Sequence, residues 1–572
     1  MSNRSSKAAK LNSALAPSSP SQSAPKETGL VAPLPLTLVL LLLLVVAVVI
    51  GIRLRLLDLP LERDEGEYAY AGQLLLQGVP PYEAFYSMKW PGTFAAYAVL
   101  MAVFGQTSSG IHFGLLLVTL GNAALVFLLT RRIGGPSAGA VAAATFALLS
   151  ITPHSFGLAA HATHFVLLPA LAGILLLQNL DGHTRPSRVF IAGVLLGLAA
   201  LMKQAGAAFG LFAAAWVLWQ ELSGPDRNWL RAGNRLVFLA VGGLLPLVTT
   251  GALLAAAGVF GRFWLWTIRY SRAYVRVNTV GLGAHWLVYH GGRILKATPG
   301  LWALAAAGLM LLWWDRSLRQ WLPFVVGLLI FSFIGVCPSG YFRGHYFLLL
   351  FPVIGLLSGI FTHAGARLAE RQPWPSWAKV SPIWIFLLAA GWSLYSARDV
   401  FFFLAPKAVS RQLYGLNPFP ESVEIGRYLR AHCGPGARIA VMGSEPQLYF
   451  YSHRRSATGY IYTYPLTEPQ PYAKAMQQDM ISEITLNRPE YVVFVFQRAS
   501  WLSHPQSDPS ILKLFIEFNR EHLEPVALVD IFPDGHTEYS WSHPSNPRSD
   551  QWLQVYKSRD AAPSDPGLKP LN

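Results

Sequence analysis

The sequence predicts an all-α polytopic membrane domain followed by a small soluble α/β domain. Of 572 residues, 53% are hydrophobic and only 13% are charged, and the mean hydropathy is +0.36, whereas soluble domains carry roughly 25% charged residues. Long apolar runs fill residues 34–404, and from about residue 407 the composition becomes that of an ordinary soluble protein. These observations exclude a soluble multi-domain enzyme. They also argue against a nucleic-acid partner despite the net charge of +15, because a positive balance in so apolar a chain suits loops facing anionic lipid and phosphate-bearing substrates.

The N-terminal segment is predicted to be a cytoplasmic tail followed by a membrane anchor. Residues 1–33 are rich in Ser, Ala and Pro and are expected to be disordered. The apolar run from Leu34 to Ile52 is long enough to cross a bilayer core of about 30 Å. Because no small-residue cleavage site follows it, we interpret this run as an uncleaved anchor. The basic residues that precede it predict a cytoplasmic N-terminus.

The remaining apolar segments predict a multi-pass protein of the cell (inner) membrane. They lie at roughly 110–130, 136–153, 165–180, 189–202, 205–222, 236–257, 300–314, 321–337, 346–362 and 382–404. The stretch Pro91–Gly105 reaches only about 21 Å at ~1.5 Å per residue and is too short to cross. If it enters the membrane without crossing, the arginine clusters between the helices face the cytoplasm, as the positive-inside tendency requires. We therefore predict about eleven crossings and an extracytoplasmic C-terminal domain.

Residues 407–558 are predicted to form the α/β domain, with a flexible tail at 559–572. Helix-like and strand-like stretches alternate here, which is typical of an α/β sandwich. The helix-like stretches are Glu421–His432 and Tyr472–Asn487, and the strand-like ones are Arg438–Met442, Tyr491–Phe496, Val526–Ile531 and Trp552–Tyr556. No catalytic constellation is recognisable in this domain. The two cysteines, Cys337 and Cys433, cannot build a disulfide framework or a Cys-based zinc site.

The first outer loop carries the strongest local signal for chemistry. Asp64, Glu65 and Glu67 follow directly after the first crossing, and carboxylates at a membrane are costly unless they are solvated or used. The helical spacing from Glu67 onward predicts an amphipathic helix lying in the interface. Its acids either face water or include a general base that accepts a proton from an acceptor. Lys89 stands just before a short apolar stretch, where it either snorkels or meets a lipid phosphate.

Further polar residues fall near the outer ends of the predicted helices. Arg343 and His345 are adjacent and well placed for phosphate contact, and Lys203 lies at another outer helix end. His161 and His164 are three residues apart, a spacing that suits either a metal or two histidines packed among apolar neighbours. A leaving phosphate needs cations more than it needs an acid. Lys89, Lys203 and Arg343 are therefore candidates to bind it.

The order and spacing of several short motifs resemble one family of membrane glycosyltransferases. These motifs are Asp64-Glu65, Tyr86 with Lys89 and Pro91, Arg131-Arg132, Gly197-Leu198 through Gln204, and Gly344-His345-Tyr346-Phe347 through Pro352. Together they resemble the polyprenyl-phosphate-sugar-dependent glycosyltransferases of the GT-C fold. These enzymes are of the glycosyltransferase family 39 type and are related to protein mannosyltransferases and to the lipid A aminoarabinose transferase. The resemblance spans about residues 34–400.

The resemblance implies an inverting transfer, outside the cytoplasm, of a hexose or pentose from a polyprenyl-phosphate sugar. The acceptor would be a glycolipid, a polysaccharide or a protein in cell-envelope glycan biosynthesis. Asp64, with Glu65 beside it, takes the catalytic position, and Lys89 takes that of the lysine near the donor phosphate. Met88 stands where family members often have an acid, and His161 and His164 lie where many have another acidic residue. Glu67, His161 and His164 thus remain candidates for acceptor or metal contact, and the cofactor, including any divalent metal, is unknown.

Two other classes of function fit parts of the sequence. A secondary transporter or a flippase of a lipid-linked or anionic substrate would place ionisable residues in the middle of several helices. Here the candidate residues cluster at outer helix ends and a soluble domain follows them, which favours the enzyme. A sugar-lipid-binding assembly factor without activity would tolerate replacement of Asp64.

Overall fold

The computed structural model describes residues 36–223, 227–542, 544 and 546–562. The tail predicted at 1–33, and most of the one predicted at 559–572, lie outside these residues. The helices of the membrane half are α1 (Leu36–Arg55), α2 (Arg63–Leu76), α3 (Pro91–Phe104), α4 (Ser108–Leu149), α5 (Ala162–Leu177), α6 (Pro186–Met202), α7 (Ala207–Leu222), α8 (Trp229–Ala256), α9 (Phe260–Trp264), α10 (Ser271–Val277), α11 (Val280–Ala297), α12 (Pro299–Trp314), α13 (Leu322–Val336), α14 (Phe351–Glu370), α15 (Ser376–Lys379) and α16 (Ser381–Ser396).

The C-terminal half contributes the remaining helices and all the strands that the described residues contain. Its helices are α17 (Pro406–Tyr414), α18 (Phe419–His432), α19 (Gln447–Ser452), α20 (Tyr464–Thr467), α21 (Ala473–Asn487), α22 (Arg498–Trp501) and α23 (Ser510–His522). Its strands are β1 (Arg438–Met442), β2 (Arg455–Ser456), β3 (Tyr491–Phe496), β4 (Leu523–Ile531), β5 (Thr537–Trp541) and β6 (Trp552–Ser558). The predicted fold class, a helical membrane domain with a C-terminal α/β domain, is confirmed.

The apolar helices agree with a polytopic membrane domain. Within the described ranges, six helices are long and apolar enough to cross a membrane, and the sharply bent pair α11–α12 makes a seventh candidate. The shorter apolar helices are α3, α5, α6 and α16. If α4 counts as two crossings and α5, α6 and α16 as one each, the number of crossings rises from seven to eleven, the number that the sequence predicts. In this count α3, with 14 residues, does not cross.

Helix α4 counts twice because its chain reverses direction in the middle. Gly135 has φ 79° and ψ −178°, and Pro136 follows it. This positive φ is open to glycine at little cost. A Cβ added to Gly139 would lie 2.8 Å from the carbonyl oxygen of Phe127, although residues twelve apart in one straight helix are separated by about 18 Å. The run is therefore a helical hairpin whose turn follows Arg131 and Arg132.

Helix α2, which carries the loop acids, is not the amphipathic helix with one water-exposed polar face that its spacing predicts, because both its faces are buried. It begins at a capping box formed by Glu62 and Glu65. Its surface is buried almost all round, with Glu65 0% and Glu67 1% exposed. The reason is that the C-terminal domain covers it. Gly66 lies so close to α19 that a Cβ would be 2.5 Å from the backbone nitrogen of Gln447.

The C-terminal domain is built on one six-stranded mixed sheet with the order β2-β1-β3-β6-β4-β5. Strand β1 is parallel to β2 and β3, whereas β6 is antiparallel to β3 and β4, and β5 is antiparallel to β4. The four predicted strands coincide with β1, β3, β4 and β6, and the two predicted helices with α18 and α21. The sequence prediction does not include β2, β5 or α23. Strand β2 has only two residues and β5 lies at the sheet edge, whereas α23 has a regular helical pattern in which Ile511, Phe515 and Phe518 are buried.

Buried polar contacts hold the first outer loop against this domain. Arg63 forms an ion pair with Glu445 and also donates to Asn417 Oδ1 at 3.1 Å. The backbone N–H of Leu61 donates to the Tyr451 hydroxyl at 2.8 Å. Side chains of both parts also share one hydrophobic core. The C-terminal domain therefore forms one wall of whatever site the loop builds.

Gly66→Ala tests this close approach. A helical Gly→Ala change by itself stabilises by up to about 1 kcal/mol, but overpacking costs about 1–3 kcal/mol. We expect a lower unfolding temperature for the purified protein in detergent. Gly51→Ala is the control, because a Cβ at Gly51 meets nothing within 4 Å. Equal stability of the two variants would contradict the packing of α2 on α19.

Candidate active site

A cavity of about 620 Å³ lies where the first outer loop, the helix ends around Lys203 and Arg343, the segment 266–276 and the C-terminal domain meet. Its charged lining residues are Asp64, Glu67, Lys89, Lys203, Arg272, Arg276, Arg343 and Glu468. Most of the residues that the sequence singled out therefore converge on one space. Glu65, His161 and His164 do not line it.

Asp64 and Lys89 form the charged centre of the cavity. The Lys89 ammonium donates to Asp64 Oδ1 at 2.7 Å and also contacts Glu67. The Tyr462 hydroxyl of the C-terminal domain donates to the same Asp64 oxygen at 3.0 Å. Burial raises the pKa of Asp64, but the positive charge of Lys89 overcomes this effect and holds the pKa well below its usual range. Asp64 is therefore a carboxylate at neutral pH.

Glu65 supports the site from behind instead of facing the cavity. Its carboxylate accepts hydrogen bonds from the backbone N–H of Ala160 at 2.6 Å, from His112 Nε2 at 3.0 Å and from the backbone N–H of Glu62 at 3.2 Å. These contacts tie the start of α2 to the loop before α5. Glu65 thus fixes the position of Asp64 relative to that loop.

Two histidines approach the second oxygen of Asp64. The rings of His161 and His345 stack with centroids 4.0 Å apart, and His161 Nδ1 lies 3.9 Å from Asp64 Oδ2. Burial lowers the pKa of His161 to about 4, so its ring is neutral. Ligand atoms of Asp64, His161 and His345 lie within 4.8 Å of one another, and zinc accepts such a donor set. These residues could hold a divalent cation, and His164 is not part of the group.

Lys203 and Arg343 supply positive charge to the cavity, where the Asp64 carboxylate attracts both of them. The Lys203 ammonium lies 3.8 Å from the centroid of the Tyr346 ring, and the Arg343 guanidinium lies over Tyr341. Neither cation forms an ion pair with a described acidic residue. Burial lowers the pKa of Lys203 to about 7. The arrangement favours an anionic ligand between these side chains.

The C-terminal domain supplies site residues that sequence reasoning missed. Tyr462 contacts Asp64, and Glu468 Oε2 accepts a hydrogen bond of 2.5 Å from the Tyr270 hydroxyl. Burial raises the pKa of Glu468 to about 7. The only local sequence signal is the alternation of Tyr460, Tyr462 and Tyr464. Nothing in that pattern indicates that it faces a site on the membrane domain.

An apolar groove of about 580 Å³ lies between α11, α12, α13 and the start of α14. Its lining includes Leu287, Leu295, Trp302, Phe333, Phe347 and Leu350. Phe347 directly follows His345 and Tyr346, which line the charged cavity. The segment Gly344–Leu350 therefore contributes side chains to both spaces.

Comparisons with known proteins agree with this architecture. The dolichyl-phosphate-mannose-protein mannosyltransferase family matches residues 89–253. The structure is similar to that of ArnT from Cupriavidus metallidurans bound to undecaprenyl phosphate, with a TM-score of 0.54 and 15% identity over 92% of this chain and 99% of that one. It is also similar to the oligosaccharyltransferase AglB from Archaeoglobus fulgidus, in complex with an inhibitory peptide and a dolichol-phosphate. There the TM-score is 0.52 and the identity 13%, over 89% of this chain and 75% of that one. No curated protein matches the sequence. The chain is thus a multi-pass membrane protein with the GT-C glycosyltransferase fold.

Proposed function

We propose that the protein is an integral-membrane glycosyltransferase that moves a sugar from a polyprenyl-phosphate donor to an acceptor on the extracytoplasmic face. One observation carries the proposal. A single cavity combines a carboxylate kept ionised by a lysine with two cations that form no ion pair among the described residues, and the segment Gly344–Leu350 contributes side chains both to this cavity and to an apolar groove. The bound undecaprenyl phosphate in ArnT and dolichol-phosphate in AglB support a lipid-phosphate donor.

The donor is proposed to bind with its tail in the groove and its phosphate in the cavity. Lys203 and Arg343 bind the phosphate, because both line the cavity and neither forms an ion pair with a carboxylate of the described residues. His345 lies beside them, and Lys89 adds positive charge from the loop. As the bond to the sugar breaks, negative charge grows on the phosphate, and these preorganised cations stabilise it.

Asp64 is proposed to act as the general base. It takes the proton of an acceptor hydroxyl or amine while the oxygen or nitrogen attacks the anomeric carbon from the side opposite the phosphate. A single displacement of this kind inverts the anomeric centre. Lys89 keeps the carboxylate ionised, and the Tyr462 hydroxyl orients it. Glu67, which lines the cavity, is placed to contact the acceptor, which is a glycolipid, a polysaccharide or a protein of the cell envelope.

Asp64→Asn tests the base. The amide keeps the shape but cannot accept the proton, so we expect transfer from a radiolabelled polyprenyl-phosphate sugar to fall by about 10²–10⁴-fold. Donor binding should persist, because the proposed phosphate cations remain.

Asp58→Asn is the matched control. Asp58 is an exposed acid that lies shortly before Asp64 in the sequence, and its side chain contacts Ser109 and does not line the cavity. Its replacement should leave transfer unchanged. Normal transfer by Asp64→Asn protein would remove Asp64 from the mechanism.

The pH dependence of donor binding tests Lys203. Burial lowers its pKa to about 7, so the ammonium is lost as the pH rises above that value. The affinity for undecaprenyl phosphate should therefore fall between pH 7 and pH 9, by at most about tenfold per unit for one proton. In Lys203→Arg the guanidinium stays charged, and titration calorimetry should show a flatter profile. Identical profiles in both proteins would exclude Lys203 from phosphate binding.

The orientation in the membrane is tested with alkaline phosphatase fusions, which are active only outside the cytoplasm. A fusion after Ser558, the end of β6, should be active. A fusion after Arg132, at the turn of the α4 hairpin, should be inactive. The opposite pattern would place the cavity on the cytoplasmic side and overturn the proposed reaction.

A further inference from the structure

Glu468 is a carboxyl group in the cavity wall that the proposed mechanism does not use. It follows directly after α20 in the C-terminal domain and is 6% exposed. Its Oε2 accepts the hydrogen bond from Tyr270, and among the described residues no hydrogen bond or ion pair engages its Oε1. The side chain lines the cavity. One oxygen is therefore held in place while the other is available to a ligand.

We propose that Glu468 binds the sugar of the donor, accepting hydrogen bonds from its hydroxyl or ammonium groups. The proposal rests on the proposed function, since it assigns a further part of the same substrate to the same cavity. It makes Glu468 a specificity-determining residue, contributed by the C-terminal domain to a site whose charged centre belongs to the membrane domain.

The charges in the cavity separate the place of the sugar from that of the phosphate. A carboxylate repels a phosphate, so the phosphate binds at Lys203 and Arg343. Glu468 has no cation within ion-pairing distance in the described structure, and burial raises its pKa to about 7. The oxygens of this carboxyl group accept hydrogen bonds from hydroxyl or ammonium groups, and its ionised form repels anions.

The surroundings of Glu468 are aromatic. Trp266, Tyr270, Tyr274 and Tyr464 line the cavity with it. Ligand sites commonly combine such apolar surfaces with a few polar groups that fix orientation. Aromatic faces can pack on the C–H face of a sugar ring while Glu468 engages its polar groups.

Tyr270 acts as a positioning residue for Glu468. Its hydroxyl holds one carboxyl oxygen, and its ring packs against Trp266 with centroids 5.2 Å apart. Trp266 in turn stacks on Tyr86, whose hydroxyl donates to Glu483 of the C-terminal domain at 2.8 Å. These contacts fix the carboxyl group of Glu468 relative to both halves of the molecule.

The test compares lipids with and without a sugar. Titration calorimetry on the full-length protein in detergent would measure binding of undecaprenyl phosphate and of undecaprenyl-phosphoryl hexoses, pentoses and amino sugars. The wild-type protein should bind at least one sugar-bearing lipid more tightly than the bare lipid. Glu468→Gln should lower the affinity for that sugar-bearing lipid by about tenfold, the effect of a lost charge-assisted hydrogen bond. The affinity for the bare lipid should not change. If the affinity falls most for the lipid with an amino sugar, Glu468 contacts an ammonium group. If it falls most for a lipid with a neutral sugar, Glu468 contacts a hydroxyl group.

Two further variants control for structural effects. Glu424→Gln makes the same chemical change at a side chain that is 45% exposed and outside the cavity, and it should change nothing. Tyr270→Phe should lower the affinity only for the sugar-bearing lipid, and by less than Glu468→Gln does. Unfolding temperatures should match that of the wild type.

Several results would overturn the proposal. One is an equal loss of affinity for bare and sugar-bearing lipids in Glu468→Gln, and another is no loss for either. Equal binding of all lipids by the wild-type protein would also overturn it, because no cavity residue would then recognise the sugar. Failure of the wild-type protein to bind undecaprenyl phosphate at all would instead overturn the proposed donor, and the sugar contact with it.

Discussion

The ion pair between Lys89 and Asp64 is the interaction on which the cavity depends. Both side chains are largely removed from water, and Lys89 also contacts the almost fully buried Glu67. A buried charge without a partner costs several kcal/mol, and a carboxyl group in that position takes up a proton instead. Because Lys89 contacts both acids, its positive charge keeps Asp64 ionised. The loop that carries Lys89 is therefore as much part of the charged centre as α2 is.

The other buried acids around this centre are satisfied in different ways, and each way matches a different role. Glu65 is fully buried outside the cavity lining and accepts three hydrogen bonds from the protein, so it acts as a structural support. Glu468 has one oxygen held by Tyr270 and one available. On the cationic side, Lys203 and Arg343 lie over tyrosine rings instead of carboxylates. The acid and the cations with free hydrogen-bonding capacity named here thus face the cavity, whereas Glu65 lies behind it.

Local patterns in the sequence predict the elements but not how they pack. Apolar runs locate the crossings, and the kink in α4 follows from Gly135 and Pro136 between two such runs. The polar face of α2 is buried and not exposed to water. Amphipathic spacing shows only that one face is polar and not what covers it. What covers that face depends on the distant α19, and only Gly66, which permits the close contact, marks it locally.

The candidate site also shows that local sequence patterns do not predict contacts between distant parts of the chain. Asp64 and Lys89 are 25 residues apart and belong to two motifs of the same loop, so a resemblance in this one loop is enough to pair them. Tyr462 is 398 residues from Asp64, and no local pattern connects them. His161 illustrates a related error, because spacing along a helix suggests His164 as its partner, whereas stacking with His345 brings a third helix end to Asp64. The site lies at the junction of two domains. The membrane domain provides its charged centre, and the other contacts form only when the C-terminal domain packs against it. The C-terminal domain is therefore best regarded as a wall of the cavity, since removing it would expose the acids of α2 to water and eliminate both Tyr462 and Glu468.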